Sequence, residues 1–367
     1  MYYLVVLFSA LVIINQLAKF RVGNIDFRLI SLFLVSILTF LLFLLSSFKG
    51  PIEPDYYSYR DIYYLAPDLN YITVEAIKKS MVESYGIEPG IVLISSFLRY
   101  FDFEYQSLVV FFSVLNICLT YFICKKFPSD IRYLCFVFFI LIFFQSYFVQ
   151  IRFASGVFLT ILACLYFIDG SRFKAVFLFC MGLLFHNTAS LFLVTLPFFY
   201  LLRKQIDKHY LFLPLLLLVA FIDVHLILKV IIENIFPRYS FYLAISDNFS
   251  GSPFLFYWRW CFYSFLIFLL SYKENYLSKS ASLYEVFFKF LLYLNLATWA
   301  VGYNFPIFYR VSWFFDAGLL YFVFSYSRSK YLIKKILCFI ILYVLFFIRF
   351  NDSIADFDSF YFDWYIV

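Results

Sequence analysis

Apolar residues in this chain come in long runs rather than in alternation. The runs cover 2–18, 29–48, 107–124, 133–149, 153–168, 175–202, 210–232, 255–272, 284–303, 310–327 and 333–349. A helix needs ~20 apolar residues to cross a bilayer, whereas a spanning strand shows ~10-residue alternation. The pattern predicts an all-α fold, a polytopic helical membrane protein of about 11–12 spans. One polar interval is large, 49–106, and it reads as an outer loop within a single integral membrane domain, 1–367. Inside that loop, 73–82 predicts a short amphipathic helix beginning at a Thr73 cap. A second apolar piece, 91–100, is too short to span. No internal repeat is evident.

Composition narrows the class. The chain is 65% hydrophobic, 26% aromatic and 14% charged, with a mean hydropathy of +0.89. Soluble chains are ~45–50% apolar and ~25% charged. Too few polar side chains remain to cover a water-facing surface, which excludes a soluble enzyme, a disordered chain and a free nucleic-acid binder. The seven cysteines lie in or at the ends of apolar runs without metal-site spacing, so they read as packing residues. The start, Met1-Tyr2-Tyr3-Leu4, has no basic segment and is expected to be a retained first span.

The charges supply orientation. The short loops that hold Lys19, Lys125, Arg172, Arg203, Lys273 and Arg328 carry 18 of the 29 basic residues and 6 of the 23 acidic ones. Short Lys/Arg-rich loops stay cytoplasmic, which puts those loops inside and the N-terminus outside. Alternation then works except at 175–202, where both flanks are basic. The chain must cross an even number of times there in ~28 residues, too few for two full spans. We expect a broken helix or re-entrant hairpin turning near His186-Asn187. Such breaks at membrane depth line a protein-enclosed or wet cavity.

That topology leaves a few polar residues at the outer boundary. Arg152, in Gln150-Ile151-Arg152-Phe153-Ala154, costs ~2.5 kcal/mol or more if it sits deep. It either snorkels to the surface or clamps an anion, since guanidinium stays charged and forks onto phosphate oxygens. Arg310 follows a Pro-containing turn and precedes Asp316, which suits either an ion pair or a second phosphate clamp. His186 is either a hydrogen-bonded structural residue or a general base. Glu88, in Glu88-Pro89-Gly90, is the second base candidate. Asp55, Tyr56 and Tyr59 belong to a segment rich in tyrosine and carboxylate, the groups that stack on sugars and accept from their hydroxyls. Each acid taken alone also fits a solvated loop charge. Asp223 and His225 form a weaker pair, and His209 reads as incidental. No cluster argues for a metal, and no cofactor is expected.

Read in order, these motifs are familiar. Asp55-Tyr56-x-x-Tyr59, then Glu88-Pro89-Gly90, Arg152 at the start of a span, Phe185-His186-x-x-Ala189 and Tyr309-Arg310 together resemble the EpsG-like branch of Wzy-type polysaccharide polymerases. The likeness runs over ~50–320. It departs from the family's two-arginine pattern in the glycines, Gly156 after Arg152 and Gly318 after Arg310. The resemblance implies a metal-independent membrane glycosyltransferase that polymerises undecaprenyl-diphosphate-linked repeat units of O-antigen or capsule. It implies a site facing outward from the bacterial cytoplasmic (inner) membrane, with lipid-linked donor and acceptor, the bilayer and a chain-length regulator as partners, and no nucleic acid. Arg152 and Arg310 would hold the diphosphate, His186 or Glu88 would take the acceptor proton, and Asp55, Tyr56 and Tyr59 would bind sugar.

Three rivals stand beside that reading. A lipid-linked oligosaccharide flippase would carry charges in several mid-membrane helices and show similar halves. Another polyprenyl-phosphate-sugar glycosyltransferase would place its acids after the first span, and here they follow the second. An O-antigen ligase would carry its large outer loop late in the chain.

Overall fold

A computed structural model of the chain describes residues 27–48, 56–83, 88–129, 131–143, 146–147, 150–206, 282–304 and 307–328, with Val230, Ile340 and Val344 singly. Apart from those single residues, the predicted spans 2–18, 210–232, 255–272 and 333–349 lie outside the described residues, as do Asp55, His209, Asp223 and His225. All regular structure among the described residues is helical, as the apolar runs require. Contacts divide the chain into two compact units, Met1–Phe192 with Ile340–Val367 and Leu193–Phe339.

The first unit is built on α1 (Phe27–Ser47), α5 (Tyr105–Lys125), α6 (Arg132–Ile142), α7 (Ile151–Ile168) and α8 (Arg172–Phe185). Of these, α5 and α7 are long and apolar enough to cross a membrane. Helix α7 is buried almost all round, whereas α5 leaves Phe111, Val114, Tyr121 and Phe122 exposed opposite buried Leu108, Phe112, Asn116 and Leu119. An apolar stripe left outside on an otherwise packed helix is what lipid contact requires. The Phe-rich composition goes into interlocked rings: Phe139, Phe143, Tyr147 and Phe158 meet at centroid distances of 4.8 to 5.4 Å.

At one end, α5 and α7 share a floor. Lys126 Nζ, just past α5, lies 2.6 Å from Asp169 Oδ2, just past α7. The chain then reverses through Gly170, at φ +81°, into α8. Only glycine takes that backbone shape without strain.

The interval 49–106 is folded. It holds α2 (Tyr56–Leu65), a 3₁₀ turn (Leu69–Tyr71), α3 (Val74–Glu83) and α4 (Pro89–Tyr100). Thr73 caps α3 as expected, its Oγ1 accepting from Ala76 N at 3.0 Å. The short apolar piece is α4, opened by Pro89 in the first turn, where a missing N–H costs nothing. The segment beginning at Tyr56 is a helix within the interval that the sequence reads as an outer loop. Arg99 Nη1 donates to the carbonyls of Tyr64, at 2.9 Å, and Ala66, so α4 satisfies the orphan acceptors that end α2.

The stretch 175–202 breaks where the charge pattern demands. Helix α8 stops at Phe185, a 3₁₀ turn covers Asn187–Ser190, and α9 (Leu191–Leu202) follows. Phe179 and Phe192 stack at 4.8 Å between centroids, yet thirteen residues of unbroken helix would hold their backbones ~20 Å apart. The chain therefore bends back at His186.

In the second unit, α10 (Leu283–Asn304) packs on α11 (Ile307–Phe315), a 3₁₀ stretch (Asp316–Leu320) and α12 (Tyr321–Arg328). Asn295 Nδ2 donates to Asp316 Oδ1 at 2.8 Å and to the Ser312 carbonyl at 2.9 Å. Gly318 lies against the Leu291–Leu292 backbone of α10, where a side chain has no room. The predicted run 310–327 is thus an interrupted helix, with its buried acid held by an amide from the neighbouring span.

Candidate functional site

Arg152 sits in the first turn of α7, beside α2 and the start of α4. Counted up from the shared floor at 1.5 Å per residue, Arg152 lies at about 24 Å and His186 at about 21 Å, against roughly 31 Å for the top of α5. The backbone at Arg152 and His186 therefore lies about 7–10 Å short of the upper end of α5. A cation there needs support, and two side chains and one backbone N–H supply it.

Glu88 is the first. Its Oε2 accepts from Arg152 Nη1, and its side chain is 8% exposed against 21% for the arginine. Tyr59 is the second: its hydroxyl oxygen accepts from Arg152 Nε at 3.4 Å, and its ring lies 5.5 Å from the guanidinium carbon, a cation–π distance. The third is indirect. The backbone N–H of Asn187 donates to the other carboxylate oxygen of Glu88, Oε1, at 3.2 Å. The Glu-Pro-Gly turn, the α7 terminus and the helix break at His186 thus converge on one carboxylate.

Two glycines let them converge. A Cβ on Gly90 would lie 2.5 Å from the Leu184 carbonyl oxygen, and one on Gly156 would lie 2.7 Å from His186 Cβ. Gly156 is one turn below Arg152 on the same helix. It is the notch into which His186 fits. Small residues at such crossings let membrane helices approach closely.

His186 joins α8 to the 3₁₀ turn. Its Nδ1 accepts the Thr188 N–H at 3.2 Å and lies 2.8 Å from Thr188 Oγ1. A backbone N–H can only donate, so Nδ1 carries no proton, and neutral His186 holds its proton on Nε2. Phe153 meets the imidazole edge-on at 5.3 Å. His186 is thus a hydrogen-bond donor at Nε2.

Beneath Arg152 a buried network ties α5 to α7. Asn116 Nδ2 donates to the Ile151 carbonyl at 3.2 Å, and Ser155 Oγ donates to Asn116 Oδ1 at 2.7 Å. Thr120 Oγ1 donates to the Asn116 carbonyl at 2.8 Å and meets the Tyr147 hydroxyl. Asn116, Ser155, Asn187 and Thr188 were not among the expected site residues. A lone Asn in a spanning run was the one signal that pointed to any of them.

The remaining expected residues are placed as follows. Tyr56 is half-buried, edge-on to Tyr57 and Tyr105, and its carbonyl accepts from the Tyr105 hydroxyl at 3.4 Å. Tyr59 is 3% exposed and backs the arginine. Asp55 lies outside the described residues. Arg310 lies on α11 of the second unit.

Fold and site together define a helical membrane protein with an arginine-centred polar site. The model of the EpsG family matches residues 32–363, and the chain belongs to that family. No curated protein and no solved structure matches it.

Proposed function

We propose that this protein is a glycosyltransferase that polymerises undecaprenyl-diphosphate-linked oligosaccharide repeat units, O-antigen or capsule, at the outer face of the bacterial cytoplasmic membrane. Membership of the EpsG family supports polysaccharide-polymerase-like work at a membrane. The observation that carries the reading further is Arg152: a mostly buried guanidinium on a helix that begins below the top of α5, beside a histidine whose Nε2 is a donor. Those groups suit a diphosphate attached to a lipid. They also suit its departure, because fixed donors in a dry site stabilise the charge that develops on the leaving oxygen. Arg310 is the second proposed phosphate ligand, and Asp55 and Tyr56 the proposed sugar contacts. Tyr59 acts through Arg152 by holding its guanidinium. Lipid-linked donor and acceptor, the bilayer and a chain-length regulator are the proposed partners.

The test is the length ladder of surface polysaccharide in cells carrying Arg152→Ala, Arg152→Lys, Arg310→Ala and His186→Ala. Arg152→Ala is expected to leave surface glycan capped with single repeat units. Arg152→Lys keeps the charge but loses the fork, and shortened ladders are expected. Complete loss of surface glycan in the Arg152 variants would instead indicate a flippase. Normal long chains in all four variants would refute the site.

A further inference from the structure

Glu88 is held more tightly than an outer-loop carboxylate needs to be. It occupies the N-cap position of α4 yet makes no side-chain capping bond to that helix. Both of its oxygens are turned elsewhere, Oε2 to Arg152 and Oε1 to the Asn187 N–H. Helix propensity therefore does not explain it. Stability does not explain it well either: an ion pair that is mostly buried gains little over apolar side chains of the same volume. A pair of this kind is better suited to exchanging partners.

A diphosphate can displace Glu88 from Arg152. It carries more charge than one carboxylate and accepts both prongs of a guanidinium. The carboxylate cannot drift away, because Asn187 N–H still holds Oε1, and the turn behind it is seated by His186 in the Gly156 notch. What remains is a carboxylate stripped of its cation, in a poorly hydrated site, beside a bound anion. Its Oε2 is then an acceptor that has lost its donor, ready for the next hydroxyl to arrive.

We propose that Glu88 is the counter-ion of Arg152 at rest and becomes the general base once the lipid diphosphate has displaced it. This rests on the polymerase reading above. In the step, the acceptor hydroxyl gives its proton to Glu88 Oε2 and its oxygen bonds to the anomeric carbon of the donor sugar. The bond from that carbon to the diphosphate oxygen breaks, and both electrons leave with the diphosphate, held by Arg152 and the Nε2–H of His186. When the lipid diphosphate departs, Arg152 returns to Glu88 and the proton passes to water. The base is thereby uncovered only after the leaving group is seated.

The experiment uses the full chain purified in detergent, with farnesyl diphosphate as the probe, and the polysaccharide ladder in cells. Glu88→Gln is expected to bind the probe about tenfold more tightly than the parent, because no carboxylate competes for the guanidinium, while making no long chains. Binding equal to or weaker than the parent would overturn the proposal and make Glu88 a structural brace, and long chains from Glu88→Gln would place the base elsewhere. Glu88→Asp keeps a carboxylate but cannot reach both partners, so tighter binding with a shortened ladder is expected. Identical ladders from the Gln and Asp variants would also overturn the proposal, even if Glu88→Gln accumulates poorly. Arg152→Ala separates the two levels: undiminished probe binding there refutes the diphosphate site itself, whereas lost binding there with no gain in Glu88→Gln refutes only the role of Glu88.

Discussion

At the scale of single residues, the site depends on close approach as much as on charge. Gly156 has no Cβ to meet His186, and a methyl group there would fall 2.7 Å from His186 Cβ. Gly156→Ala is expected to cost about 1–3 kcal/mol of stability through overpacking and to lift His186 away from α7. The measurement is membrane accumulation and melting temperature alongside the ladder. Chains at full length would mean that the notch is not needed. Tyr63 makes a second residue-scale case. Its hydroxyl donates to the Phe103 carbonyl, and burial pushes its ionisation above the usual value near 10. The unfolded chain therefore loses this proton first. The stability Tyr63 contributes is full below about pH 10 and is lost as pH rises through the raised folded value. Tyr63→Phe is expected to lower the melting temperature at neutral pH and to flatten its fall above about pH 10. An unchanged alkaline slope would show that Tyr63 contributes nothing there.

At the scale of elements, α4 is the informative helix. It buries Ile91, Val92, Ser95 and Leu98 on one side and exposes Leu93, Phe97 and Tyr100 on another, so it is apolar nearly all round. Its only charged residue, Arg99, is turned back onto α2. At twelve residues it is ~18 Å long and cannot cross the bilayer. Its end joins α5 through a short turn at Asp102, φ +57°, with Phe97, Phe101 and Phe103 clustered around it. Aromatic clusters beside the end of a spanning helix belong at the membrane boundary. Phe97→Trp is expected to give tryptophan emission quenched by brominated lipids and poorly quenched by iodide in water. The reverse pattern would place α4 in solvent. The charge rule found the other decisive element, the break at His186, because two basic flanks cannot lie on opposite sides of a membrane. Periodicity alone shows 175–202 as one continuous apolar run.

At the scale of the whole molecule, the question is how Arg152, Glu88 and the turn at His186 come together. The helices α5, α7 and α8 rise from one floor to different heights, and Tyr59 of α2 and Glu88 at the start of α4 meet Arg152 beside the tallest of them. The site is expected to open outward. Asn187→Cys in an otherwise cysteine-free chain should react with a membrane-impermeant maleimide added to the outside of intact cells, more slowly once farnesyl diphosphate is supplied to outward-facing membranes. Labelling only after permeabilisation would reverse the orientation and remove the outer-face site with it.

Hydropathy and charge are local properties, and they settle local matters. From residue order alone came the helical class, the span boundaries later seen in α1, α5, α7 and α10, the cap of α3 and the turn at His186. Arg152, Glu88 and His186 could be singled out because a polar residue inside or beside an apolar run stands out against its neighbours. Their association could not be read in the same way. Glu88 and Arg152 are 64 residues apart, and Glu88 and Asn187 are 99 apart. What joins them is the depth at which α7, α8 and the start of α4 cross, set by packing at Gly90 and Gly156. That packing also turned Tyr59 from an expected sugar contact into the support of a guanidinium, and fixed the proton of His186 on Nε2 through a backbone N–H two residues on. Side-chain identity names the groups available for chemistry, but which of them meet is decided by helix crossings that no local pattern encodes.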